Sequence, residues 1–204
     1  MKATYEGFEA KQRGSSKLPP VGQYIGEIQA VRVDKSYSGD RDVIVCMVEI
    51  TEGEYKGRYH EVFEDQRERF GSDVKYKGVF TLTPPIPGDE PWMKSRWESN
   101  LFCVQESNPG YRWDWNENKL KGKKVGINVR ENYFKSKQDG KWIKTTEIGQ
   151  FETIDDVRNG KCKDMTPRNK KKMEEEEKNG VVQNGEFKGI EYGEDVTGKV
   201  EVPF

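Results

Sequence analysis

A single histidine, His60, stands in 204 residues, so a multi-histidine metal site is excluded, and His60, within an expected strand, reads as a surface or packed side chain rather than a catalytic base. Only three cysteines are present, Cys46, Cys103 and Cys162. They lie far apart and form no CxxC pair. That spacing offers neither a structural zinc site nor a disulfide framework, and it fits a reducing cytoplasm. No apolar run approaches the roughly 20 residues that span a bilayer. The stretch from Met1 to Glu6 lacks the apolar region of a signal peptide. Phosphate-cradling and dinucleotide glycine motifs are absent as well. Carboxylates such as Glu61, Glu64, Asp65 and Glu68 are common, but they do not follow the strand-borne pattern of a two-metal nuclease. The residues point away from an enzyme and require no metal or cofactor.

Apolar residues are scarce too. They make up 32% of the chain against 35% charged residues, with a mean hydropathy of −1.00. A chain this polar cannot pack all its residues into one core, so part of it is expected to stay loose. The 21 glycines and nine prolines agree, because both punctuate turns. Charge is unevenly shared. Residues 174–204 carry nine acids and three lysines, and the remainder carries 32 basic and 27 acidic residues. A basic body followed by an acidic end is the expected organisation.

What is present is a succession of β-like segments. Residues 1–17 read as a polar arm, and Leu18-Pro19-Pro20 sets an extended entry. Val21 to Val33 reads as a long strand that Gly22 and Gly26 allow to bend. After a turn at 36–40, Val43 to Ile50 is a nearly continuous β-branched strand. Arg58 to Phe63 is expected to be a third strand, and 64–88 an irregular insertion. Asp89-Glu90-Pro91 opens a helix whose apolar stripe is Met93, Trp97, Leu101 and Val104. Lys123 to Arg130, with Val125, Ile127 and Val129 alternating, and Gly140 to Phe151 read as two more strands about a hairpin loop at 133–140. Residues 160–204 read as a tail, with a short helix over 168–178.

Three strands, a helix and two strands is the element order of an OB-fold. The expected fold is therefore mainly β: a five-stranded OB barrel over 18–159 with one capping helix, followed by a mostly disordered acidic C-terminal tail. Single-stranded nucleic acid needs cations along its backbone and aromatic faces for its bases. An OB barrel presents such groups from strands 2–3 and from the loops joining strands 1–2 and 4–5. The first loop supplies Arg32, Lys35, Tyr37 and Arg41. The strand 2–3 region supplies Lys56, Arg58 and Tyr59, with Tyr55 beside them. The fourth strand and its loop supply Lys123, Lys124, Arg130, Tyr133, Phe134, Lys135, Lys137, Lys141 and Trp142. At the far end, Glu201-Val202-Pro203-Phe204 offers a partner protein an aromatic ring beside a carboxylate.

That ending resembles the acidic, Pro-Phe-tipped tails of bacterial and phage single-stranded DNA-binding proteins, whose tips dock replication, recombination and repair enzymes. The body resembles a group of phage early proteins of single-stranded DNA-binding or unknown function. The resemblance is carried by Leu18-Pro19-Pro20-Val21-Gly22-Gln23-Tyr24, Gly53-Glu54-Tyr55-Lys56-Gly57-Arg58 and Leu120-Lys121-Gly122-Lys123-Lys124-Val125-Gly126. It implies an OB-fold, no enzymatic activity and action on phage DNA in the cytoplasm of a bacterial host.

Two functions follow as expectations. In the first, the chain is a homo-oligomer (dimer or tetramer) that coats and protects single-stranded DNA and recruits replication and recombination proteins through its tail. In the second, the same barrel is a protein-binding module that inhibits or triggers a host defence complex, since a fold does not dictate a function.

Overall fold

A computed structural model describes residues 17–137 and 139–182. Its elements are β1 (Gly22–Lys35), β2 (Asp42–Ile50), α1 (Arg58–Phe70), β3 (Val79–Leu82), α2 (Pro91–Glu106), β4 (Lys124–Lys135), β5 (Trp142–Glu152), α3 (Ile154–Arg158) and α4 (Lys170–Val182). A 3-10 turn at Glu117–Leu120 leads into β4. The strands form one sheet in the order β3-β2-β1-β4-β5, and every ladder is antiparallel. The protein is mainly β: a five-stranded antiparallel sheet with helices.

β1 holds the sheet together by serving two neighbours. Its first half pairs with β4, from Gly22 opposite Val129 to Glu27 opposite Lys124. From Gly26 onward it pairs with β2, with Gln29 bulged out of register. Gly26 belongs to both ladders, and a Cβ there would lie 2.9 Å from the Glu49 carbonyl and the Val48 side chain. Glycine is required by that close approach. The sheet curls enough that Phe80 of β3 and Phe151 of β5, from its two edge strands, meet at 4.4 Å between ring centres. Among the described residues no ladder joins these edges, so the sheet is open there and the expected barrel closure is not formed by hydrogen bonds.

Side chains on the inner face form the core, among them Ile28, Cys46, Val48, Leu82, Val125, Ile127 and Val129. α2 lies against it with Trp97, Leu101 and Val104 buried, three of the four residues on the expected stripe. Asn100 ties α2 to β5 from the same helix. Its Nδ2 donates to the Arg96 carbonyl (2.7 Å), and its Oδ1 accepts from Phe151 N (2.8 Å).

The third strand is not where the sequence placed it. Arg58 to Phe63 begins helix α1, and β3 is the four-residue run Val79–Leu82 inside the expected irregular insertion. Gly57, at φ 75°, stands at the N-cap of α1, and its N–H donates to the carbonyl of Ile50 at the end of β2 (2.9 Å). Glu49 then accepts the Tyr59 and His60 backbone N–H groups (3.1 and 2.6 Å), satisfying donors that a helix start leaves open. Tyr59, Val62 and Phe63 recur at i, i+3 and i+4, so a helix buries all three on one face.

Residues 163–169, expected to be tail, return to the sheet against β1 and β4. The Lys163 carbonyl accepts from Asn128 (2.9 Å), and Asp164 accepts from Gln23 (3.1 Å). Arg168 forms a parallel bridge with Asn132, on the β4 edge that β1 leaves open because it starts only at Gly22. α4 follows. Residues 1–16 of the expected arm at 1–17, and the remainder of the tail, lie outside the described residues.

Candidate nucleic-acid interface

The residues chosen from the sequence fall into three groups that the fold treats differently. The β1–β2 hairpin presents Tyr37 almost fully to solvent, at 92% exposure. Its cations face acids: Arg32 pairs with Asp34 (3.1 Å) and Lys35 with Asp42 (2.6 Å). Arg41 is held most firmly. It donates to both oxygens of Asp89 (2.6 and 2.9 Å) and to Asp40. These bonds hold the Asp89 carboxyl below its usual range, with a further contribution from the Ile86 N–H. Arg41 therefore fastens the hairpin to the segment entering α2.

The second group sits at the start of α1 rather than on a strand. Lys56 is exposed, and Arg58 pairs with Glu61 (3.1 Å) while lying over the Tyr55 ring at 5.8 Å. Tyr59 is 1% exposed and belongs to the core, because the helix turns it inward. It offers no face to a base.

The third group, on β4 and β5, is where cations and apolar faces converge. Lys123 lies over the Tyr111 ring at 4.8 Å, and Lys124 is exposed. Arg130 pairs with Glu147 (2.8 Å) on the sheet's outer face. Tyr133 is buried and donates its hydroxyl to Glu131 (2.9 Å), so it too is structural. That bond and partial burial raise the Tyr133 hydroxyl's pKa.

Phe134 points the other way. It is 43% exposed, directly across the ladder from Ile143 at 42%, which sequence reasoning did not single out. One position further, Lys135 faces Trp142; its ammonium lies 5.6 Å from the ring centre and 2.5 Å from Glu176 of α4. Lys137 and Lys141 are exposed at the hairpin tip, Lys141 near Asp139 (3.6 Å).

The two hairpins leave the β1–β4 ladder in opposite directions, since β1 runs on past Glu27 and β4 past Val129. Of the two, the β4–β5 hairpin combines an exposed apolar pair, an indole and several lysines over a few described residues. Arg168 adds a further cation beside it, 3.3 Å from Glu147. It was assigned to the tail from sequence, and nothing in its local pattern signals a return to the sheet. The expected partner-docking tip, Glu201, Val202, Pro203 and Phe204, lies outside the described residues. Among those described, no group of His, Cys, Asp or Glu is placed to hold a metal ion, and no helix is long and apolar enough to cross a membrane.

No protein-family model matches the sequence, and no curated protein is significantly similar to it.

Proposed function

We propose that the chain binds single-stranded DNA, with the β4–β5 hairpin as the principal contact surface of an OB-type barrel. The observation that carries this reading is the hairpin end, where Phe134 and Ile143 stand side by side in solvent next to Trp142 and its lysines. Unpaired bases bring π-faces and a charged backbone, and this surface offers a complement to both. The barrel reading is supported by the strand order, by α2 falling between the third and fourth strands, and by the ring contact between the two edge strands. In this reading the protein coats exposed DNA during phage replication and recombination, and its acidic C-terminal end recruits partner proteins.

The second reading, a module that docks a host protein, draws on one specific feature. Many of the expected DNA-binding cations are already paired with acids, while Trp115 stands 71% exposed at φ 64°, a conformation rare for a bulky residue.

Fluorescence anisotropy with labelled oligo-dT and a matching duplex separates the two readings. Single-strand binding that weakens with salt, at about −0.7 in log–log slope per phosphate contacted, supports the first. A folded protein that binds neither probe at low salt refutes it.

A further inference from the structure

Outside the hairpin, positive charge also gathers between α2 and β5. Arg96 of α2 reaches across to β5 and donates from Nη2 to the Gly149 carbonyl at 3.0 Å. Among the described residues no carboxylate lies within ion-pair distance of it. Arg130 and Arg168 approach the same region, and the single Glu147 carboxylate serves both, at 2.8 and 3.3 Å, while also accepting from Asn132 at 2.9 Å. Three guanidiniums thus lie near one acid, which is bonded to only two of them. Gly149 is the residue that β5 bulges out of register opposite Asn128 and Val129. A Cβ there would run into the Met165 sulfur and come within 3.0 Å of Arg130, so the arginine side chains are gathered around a tightly packed point. Partial desolvation, with the charges of Arg130 and Arg168, lowers the Arg96 pKa.

Beside Arg96 is a cleft of about 270 Å³ between α2 and β5, lined also by Trp92, Ser95, Ser99 and Gln150. Trp92 is 61% exposed at its edge. Glu152 is the nearest acid in sequence to the cleft's β5 wall, and it is engaged by the amides of Asn128 and Gln150 (2.9 and 2.5 Å). Arg96 keeps most of its five N–H donors after the one bond to Gly149, and two serine hydroxyls line the same cleft.

We infer that this cleft is a phosphate subsite for a single nucleotide unit, with Arg96 receiving the phosphate and the Trp92 indole receiving the base. The cleft is small for a larger cofactor, since ligand pockets typically run about 300–1,000 Å³. A phosphate takes guanidinium donors in a planar fork, and an exposed indole stacks any base. The unit has two sources: a free nucleotide, or one residue of a strand held at the β4–β5 hairpin. Only the second source rests on the proposed function above.

The test uses the full chain and three probes: inorganic phosphate, dAMP and oligo-dT. Arg96→Gln is the main variant, chosen because Gln and Arg are similar helix formers. Equal melting temperatures for it and the wild type verify folding. Binding of dAMP is followed by tryptophan quenching, and Trp92→Phe assigns the signal among the five tryptophans.

The expected result is that Arg96→Gln weakens dAMP or oligo-dT binding about tenfold or more, as removal of a charge-assisted contact should. Arg96→Lys should recover part of that loss. Trp92→Ala should weaken dAMP binding and leave inorganic phosphate binding unchanged. An effect on dAMP alone identifies a free nucleotide, and an effect on oligo-dT identifies a strand. If Arg96→Gln changes the binding of none of the three probes, the subsite is refuted. Should oligo-dT binding then still depend on Phe134, the hairpin reading stands without it.

Discussion

Tyr133 and Phe134 are chemical near-twins at adjacent positions on β4, yet their removal should have opposite consequences. Phe134 is 43% exposed beside Ile143, whereas Tyr133 is 9% exposed and bonded to Glu131. Replacing Phe134 by alanine removes a stacking face but leaves no cavity in the core. Base stacking on an aromatic side chain contributes about 1–3 kcal/mol per base, so oligo-dT affinity should fall about five- to 150-fold. The melting temperature should stay within about 1–2 °C, as for a surface substitution within 0.5 kcal/mol.

Tyr133→Ala instead deletes a buried ring and strands the Glu131–Lys144 pair beside it. The expected loss is about 3 kcal/mol, the low end for a buried aromatic. That lowers the melting temperature by roughly 6–12 °C for a chain of this size. Fluorescence anisotropy and thermal unfolding on the same samples read both effects. Phe134→Ala with unchanged affinity, in a protein that otherwise binds oligo-dT, would refute the assignment of this face.

Two further outcomes concern the fold. At Gly78 a methyl group would meet the Val48 carbonyl and lie 2.7 Å from the Tyr59 ring. Because backbone blocks it on one side, Gly78→Ala should destabilise by about 3 kcal/mol, and an unchanged urea midpoint would contradict this packing. Burial raises the Cys46 and Cys103 thiols to about 12 from 9.0, and the Tyr24 and Tyr111 hydroxyls to about 12 from 10.0. Folded-state values above the unfolded ones give stability that is intact below about pH 9. It is lost as pH rises toward 12, where the unfolded chain binds fewer protons. Urea midpoints should therefore fall from pH 9 upward. A flat profile to pH 11 would count against burial of these groups.

Much of the sheet could be read directly from residue patterns. Alternation of Val125, Ile127 and Val129 marked β4, and the apolar run from Val43 marked β2, because burial on one face imposes a period of two. Continued to Tyr133, the same alternation places that ring inside and Phe134 outside, as the structure does. α1 was hidden because Tyr59, Val62 and Phe63 also suit a strand, and the choice was made by Glu49, a residue of the preceding strand that caps the helix start. β3 was hidden by its four-residue length. At the candidate site, aromatic and basic residues on the β4–β5 hairpin were legible. The neutralisation of Arg41 was not, since its partner Asp89 stands 48 positions away and only the fold brings it near. Arg96 gave no signal at all, being one of several charges on α2 whose contact with β5, 53 positions away, only the fold makes.

The pairing of β1 with β4 sets a timetable for the growing chain. The β1–β2 hairpin needs only local closure, but the strand that pairs with the first half of β1 emerges about 100 residues after β1 itself. At about 5–20 residues per second, that edge waits roughly 5–20 s on the ribosome with its hydrogen-bonding groups uncovered. During this interval a neighbouring nascent chain offers an equally good strand. Slow, crowded synthesis should therefore favour misassembly between copies at β1, a hazard removed once β4 arrives.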